Sequence, residues 1–385
     1  MTKLKVVTIL GTRPEIIRLS QVMKGLRLYC DHVLVHTGQN WDYELNEVFF
    51  EDLEIPKPDY FLGVGGGSLG ETLGGILAET EKVLEKEAPD AVLILGDTNS
   101  AISAIMARRM KIPIYHMEAG NRSFDRNVPE ETNRLLVDHI ADFNLVYTEH
   151  ARRHLLTEGI AHRRINLTGS PMREVLDQFS RQIAESEILS TLGLTRGEFF
   201  VVSLHREENV DNQARLKVLL EALNELGEKY GYPLVVSTHP RTRQRLEKLD
   251  MSVHKNVAFE KPFGFHDYNR LQKSAFCVIS DSGTIAEEAS ILGFPAITPR
   301  DAIERPEGID VGCIMMTGVD KESIVNAVEI VTRMYEERGK DGSGIPIPAD
   351  YTITNTSERV VKHILGTARV SNKWDGIRLN DQESA

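Results

Sequence analysis

Cysteine is scarce in this chain of 385 residues: Cys30, Cys277 and Cys313 are the three it has, far apart and without CxxC spacing. An odd and dispersed set argues against a disulfide framework and a cysteine zinc site, leaving reduced, buried thiols as the expectation. Positive charge is also in short supply. Forty-five Lys and Arg against 57 Asp and Glu give a formal net charge of −12, which disfavours nucleic acid or an anionic membrane as partner. No apolar run approaches the roughly eighteen residues of a membrane span. The start, MTKLKVVTILGTRPEII, runs from a short apolar stretch into a Gly-Thr-Arg-Pro turn, which reads as a first strand and not a signal peptide, so a cytoplasmic location is expected. Internal repeats, a GxxxxGK[ST] phosphate loop, HExxH and GxSxG are all missing. What is present is ordinary for a globular chain: 41% hydrophobic and 26% charged residues.

Short β-branched runs alternate with longer amphipathic stretches throughout. Lys5–Leu10, His32–His36, Ala91–Leu95, Ile112–Tyr115, Phe143–Tyr147 and Ile165–Leu167 read as strands of a first half. Phe199–Leu204, Leu234–Ser237, Val257–Phe259, Phe276–Ile279 and Pro295–Thr298 read as those of a second. Strict alternation with helices predicts parallel sheets covered on both faces, and the length favours two domains. The break falls near Thr168–Pro171. The expected organisation is an α/β protein of two Rossmann-like domains, residues 1–170 and 171–350, with a ligand cleft between them. A C-terminal helix, 351–367, is expected to pack back on the first domain, and residues 368–385 to form a polar tail. Gly65–Gly70 matches GxGxxG literally, but no acidic residue ends a strand about twenty positions on, so a glycine loop before a helix is the better reading.

Charge is concentrated in HMEAGNRSFDRNVPEETNR, His116–Arg134. Glu118 follows a strand-like run, and Pro129 opens a helix whose first turn holds Glu130 and Glu131, where the helix dipole favours anions. Helix physics accounts for the last two glutamates and not for Glu118. Arg13, Gln39, Asp97, Glu118, His205, His239 and Asp281 all fall just after strands, at the edge where doubly wound sheets bind ligands. Arg13 and Arg18, about one helical turn apart, suit phosphates. The small residues Ser280–Thr284 before a helix suit a diphosphate, although Asp281 or Ser282 as a plain N-cap explains the same string. Glu287 and Glu288 follow one turn later. His205 and His239 can pair with a leaving phosphate or move a proton, or serve structure alone. Asp97, Glu118 and Glu130 form a carboxylate set suited to proton transfer at carbon.

The strings GTRPEIIRLS, LGDTNS, HMEAGNR, VPEETNR, SLHREEN, DSGTIAEEAS and ERPEG together resemble the non-hydrolysing UDP-N-acetylglucosamine 2-epimerase family over nearly the whole chain. The resemblance implies a GT-B arrangement, a homodimer, a UDP-sugar substrate and neither metal nor other cofactor. It implies that Asp97, Glu118 and Glu130 are catalytic acids and bases, with His205 near the phosphates. Arg13, Arg18, His205, His239 and the Ser282–Gly283 turn would bind UDP, with Glu288 on the ribose. Several strings depart from the common pattern. Thr37–Asp42 and Gly65–Ser68 replace segments that form an activating second site in some relatives, and Gly120–Phe124 replaces GLRTG. In these the chain is more similar to the branch that works on 6-deoxy sugars, converting UDP-2-acetamido-2,6-dideoxy-L-talose to UDP-N-acetyl-L-fucosamine for surface polysaccharide. UDP-N-acetylglucosamine/mannosamine epimerisation is the alternative substrate reading; a GT-B glycosyltransferase and a non-catalytic UDP-sugar sensor are the alternatives in other classes.

Overall fold

A computed structural model describes residues 3–38, 43–238, 240–247, 251–339 and 341–377. The chain forms two compact units, residues 1–175 with 353–385, and residues 176–352. The first is built on β1 (Lys5–Leu10), β2 (Asp31–His36), β3 (Tyr60–Phe61), β4 (Ala91–Leu95), β5 (Ile114–Met117), β6 (Phe143–Val146) and β7 (Ile165–Leu167). All pair in parallel, in the order β3-β2-β1-β4-β5-β6-β7. The order reverses between β1 and β4, whose connections therefore leave in opposite directions and open a crevice at the carboxyl edge. Val7, Ile9, Val33, Val35, Val92, Ile94 and Ile114 are buried in one core cluster, which is what near-continuous apolar strands covered on both faces require.

The helix Arg13–Tyr29 starts where Pro14 needs no hydrogen-bonded N–H, and buries Ile16, Leu19, Val22, Met23 and Leu26. Each such side chain contributes about 1.5–3 kcal/mol on burial. The last helix, Thr356–Trp374, packs against it: a Cβ on Gly25 would lie 3.1 Å from Val361 Cγ2. This helix runs past the expected end at residue 367, and residues 368–374 belong to it. Ala368 and Ser371 continue the buried stripe of Val360, Val361 and Ile364, so the apolar spacing extends two turns further than the polar composition suggested.

The second unit carries β8 (Phe200–Ser203), β9 (Leu234–Ser237), β10 (Val257–Glu260), β11 (Cys277–Ser280), β12 (Ala296–Thr298) and β13 (Met315–Met316). Their order, β10-β9-β8-β11-β12-β13, again all parallel, reverses between β8 and β11. Phe200, Val202, Leu223, Leu226, Leu234, Val236 and Ile279 belong to one of its core clusters. The three thiols are free and buried, and burial pushes each above the ordinary range. Ser68 caps the helix Leu69–Glu87 with a capping box to Glu71, so the glycine run ahead of it is a helix entry. Among the described residues no helix is long and apolar enough to cross a membrane.

Candidate active site

In the first unit the loops after β1, β4 and β5 carry the polar groups. Glu15, in the first turn of the first helix, is buried, and its carboxylate joins two of them. It accepts from the Gly11 N–H at 3.0 Å, from Thr12 Oγ1 at 2.8 Å and from Thr98 Oγ1 at 3.2 Å. Burial raises its pKa to about 7, against the pull of those hydrogen bonds. Arg13, at the first helical position, lies with its guanidinium carbon 5.4 Å from the centre of the Phe49 ring.

Asp97 follows Gly96 at the end of β4 and pairs with Arg134. Arg134 also holds Glu131 at 2.7 Å, and Glu131 accepts from the Ser123 N–H at 3.1 Å and from Ser123 Oγ at 3.0 Å. The helix Pro129–Ile140 thus ties the Asp97 turn to the loop that follows Glu118. Glu118 itself comes directly after β5 with φ +61, a left-handed conformation that costs a non-glycine residue about 1–3 kcal/mol and gathers at functional sites. Its side chain pairs with Arg18, and Oε2 lies 3.9 Å from where a Cβ on Gly96 would be. Asp97 and Glu118 are therefore neighbours at one sheet edge, each with its own arginine. Glu130 is half-buried in the first turn of the helix Pro129–Ile140. Gly120, φ +80, passes so close to the helix Glu149–Thr157 that a Cβ would meet Ala151 O at 2.5 Å, which excludes any side chain there.

In the second unit Asp281 is the hub. Fully buried at the end of β11, it accepts from the His205 N–H at 3.0 Å, the Arg206 N–H at 3.1 Å and Asn209 Nδ2 at 3.0 Å. His205 Nδ1 stands 3.0 Å from the same carboxylate while the ring edge is exposed. Burial pushes the Asp281 carboxyl up, but His205 and Asn209 outweigh it and hold the group below the usual range. The helix starts only at Ile285, with Thr284 before it, so Asp281 does not cap it; Ser282 Oγ contacts the Thr284 N–H at 3.3 Å and Thr284 Oγ1 at 2.8 Å. A Cβ on Gly283 would lie 3.3 Å from an Arg206 Nη, so a guanidinium stands directly over this small-residue turn. Glu288 accepts from Thr284 Oγ1 at 2.7 Å and Gln272 Nε2 at 2.6 Å. Glu287, wholly buried, is 3.3 Å from Arg305.

The residues read from sequence thus fall into two groups: Arg13, Arg18, Asp97, Glu118 and Glu130 in one unit, and His205, Ser282, Gly283 and Glu288 in the other. Gln39 and His239 lie outside the described residues. Glu15, Arg134, Glu131, Arg206 and Gln272 were not singled out as site residues. The signal for Glu131 and Arg134 was present as an i,i+3 pair of opposite charge; nothing local marks Glu15 or Gln272. Among the described residues no group of three or more His, Cys, Asp or Glu is arranged to hold a metal ion.

The profile described as UDP-N-acetylglucosamine 2-epimerase matches residues 27–365. The UDP-N-acetylglucosamine 2-epimerase of Methanocaldococcus jannaschii is 40% identical over 337 residues, 85% of this chain and 92% of its own. The crystal structure of the M. jannaschii enzyme in complex with UDP-GlcNAc and UDP matches with a TM-score of 0.85 at 37% identity, covering 94% of this chain and 99% of that one. The structure of UDP-N-acetylglucosamine 2-epimerase from Rickettsia bellii matches with a TM-score of 0.90 at 45% identity, over 98% of this chain and 100% of that one. The UDP-2,3-diacetamido-2,3-dideoxy-D-glucuronate 2-epimerase of Pseudomonas aeruginosa is 36% identical over 330 residues, 84% of this chain and 91% of its own. Matched over nearly its whole length by profile, sequence and fold, this chain belongs to the UDP-N-acetylglucosamine 2-epimerase family.

Proposed function

We propose that the protein is an isomerase that inverts carbon 2 of a UDP-N-acetylhexosamine. The observation that carries this reading is the pair Asp97 and Glu118 at one sheet edge, each against its own arginine, with Glu130 on the helix that carries Arg134. Carbon 2 of the sugar bears no acidic proton. The C2–H bond therefore breaks as the C1–O bond to UDP breaks, the electron pair forming C1=C2 of a bound glycal; return delivers a proton to the opposite face of carbon 2 and the diphosphate oxygen to carbon 1. Acid and base groups are needed on both faces, which a set of carboxylates supplies and a glycosyltransferase or a binding protein does not require. Charge develops on the leaving diphosphate, and Arg13, Arg18, Arg206 and the N–H groups of the Ser282–Gly283 turn are the groups we assign to it, without metal or nicotinamide. His205, its ring fixed by Asp281, is assigned to the phosphates, as is His239, and Glu288, already held by Thr284 and Gln272, to the ribose. Incubation with UDP-N-acetylhexosamines in deuterium oxide tests the reading. Deuterium at carbon 2 of both epimers is expected; its absence with every substrate overturns the proposal. Acceptor-dependent UDP release would identify a transferase, and binding without turnover a sensor.

Within that class we infer a 6-deoxy substrate, UDP-2-acetamido-2,6-dideoxy-L-talose, for a surface-polysaccharide precursor. A site that hydrogen-bonds a C6 hydroxyl is left unpaired by a methyl, and Phe124, 76% exposed in the loop after Glu118, offers apolar surface instead. UDP-N-acetylglucosamine is the competing substrate, supported by the names of the M. jannaschii and R. bellii relatives. A higher kcat/KM with UDP-N-acetylglucosamine would reverse the order. A cytoplasmic homodimer is part of the same proposal; a monomer by sedimentation velocity would remove the dimer from it.

A further inference from the structure

Glu118 holds a left-handed backbone conformation, φ +61, that its own long side chain does nothing to favour. Its neighbours show what maintains it. Two residues earlier, His116 is wholly buried, with Nδ1 2.9 Å from Asp138 Oδ1. Two residues later, the Gly120 N–H donates to the other oxygen, Asp138 Oδ2, at 3.1 Å, and Arg122 Nη1 donates to that oxygen at 2.7 Å. One carboxylate therefore grips the chain on both flanks of Glu118. The far edge of the imidazole extends the grip, since His116 Nε2 donates at 2.7 Å to the carbonyl of Gly96, the residue before Asp97. Asp138 belongs to the same helix as Glu130 and Arg134, the latter the partner of Asp97.

We infer that His116 and Asp138 form a buried positioning pair that sets the backbone of Glu118 and of the Asp97 turn. The inference deepens the epimerase reading and rests on it for the role of those two carboxylates. Burial pushes the Asp138 carboxyl up, but His116 and Arg122 beside it outweigh that and hold it below the usual range. Beyond Arg122 stands Glu158, bound through Nε at 2.8 Å and Nη2 at 2.6 Å, with His139 3.9 Å from it at the exposed rim. The buried Arg122 guanidinium thus stands between two carboxylates, Asp138 and Glu158. Such clusters are weak sources of stability and good sources of fixed geometry. A shift on the order of 1 Å in a reacting group costs about 10²-fold in rate, which is the scale a slack Glu118 loop would produce.

Hydrogen exchange of the Gly120 amide in the intact protein gives a readout that needs neither a variant nor turnover. Held by Asp138, this amide is expected to exchange as slowly as those of the central strands. Exchange at the rate of exposed loop amides would overturn the assignment. Asp138→Asn and His116→Gln are each expected to lower kcat about 10²-fold, with KM and UDP affinity changed by no more than a few-fold. If either variant folds and keeps kcat within twofold of the parent, the positioning role is refuted; if neither folds, the Gly120 exchange of the parent protein decides alone. A parent protein that turns over no UDP-N-acetylhexosamine would refute the epimerase reading and leave the exchange result to stand or fall by itself.

Discussion

The two domains repeat one strand order and differ in how they stitch its reversal point together. In each, a single buried carboxylate ties the loops of the two central strands. Glu15 joins Gly11 and Thr12 after β1 to Thr98 after β4; Asp281, after β11, holds His205, Arg206 and Asn209 after β8. Their electrostatics are opposite. Burial dominates at Glu15 and raises its pKa to about 7, whereas His205 and Asn209 overcome burial at Asp281 and lower it. Topology put both carboxylates at the reversal point. Their neighbours made one a proton holder near neutral pH and the other a permanent anion that orients a histidine.

The sharpest break in the comparison is chemical. Glu118→Gln should cut turnover by about 10²–10⁴-fold, while UDP, assigned largely to the C-terminal domain, still binds within a few-fold by calorimetry. Asp97→Asn and Glu130→Gln should behave alike, and near-normal turnover in the Glu118 variant would empty the N-terminal domain of its proposed role.

Next in size is a pH effect that sets Glu15 against Asp281. A carboxyl raised from 4.5 to about 7 on folding contributes stability that is fully present below the unfolded value and lost as pH rises through about 7, on the order of 3 kcal/mol. Melting of Glu15→Gln between pH 4.5 and 7.5 should therefore lack a downward slope that the parent shows. The lowered Asp281 works the other way: its contribution is present above the unfolded value of 3.8 and lost as pH falls through the folded one. An unchanged slope in Glu15→Gln would mean that Glu15 does not titrate in this range.

Asp281→Asn should cost about 1–3 kcal/mol of stability, because an amide then presents hydrogens where His205 N–H and Arg206 N–H already donate. It should also weaken UDP about tenfold by releasing His205, on the scale of one lost hydrogen bond to a charged group. Equal UDP affinity in the variant would remove Asp281 from the phosphate side. Smallest is Gly283→Ala. Its Cβ meets Arg206 at 3.3 Å, a flexible contact that yields by a few tenths of an ångström, so UDP affinity should fall by only a few-fold. A loss above a hundredfold would show that the backbone there approaches the diphosphate more closely than proposed.

How much of this was legible beforehand varies by element. β1, β4, β7 and β9 begin and end where their apolar runs do. The edge strands Tyr60–Phe61 and Met315–Met316 are too short to show a period, and residues 368–374 looked polar because only one face of their helix is buried. At the site, residue types at strand ends pointed to Asp97, Glu118 and Arg13 one at a time. Glu15 was passed over because a glutamate in a first helical turn is ordinary until its burial is known.

By itself the sequence determined the βα alternation, and with it two parallel sheets whose polar residues gather at the carboxyl edges, because period and turn chemistry are local properties. Tertiary structure alone decided the partners. Arg18 reaches Glu118 across a hundred residues and Arg134 reaches Asp97 across 37, since β1 and β4 become neighbours only when the sheet is wound. It also decided protonation: the same carboxyl chemistry titrates near 7 at Glu15 and below the usual range at Asp281, because desolvation and neighbouring charge exist only once the chain is packed.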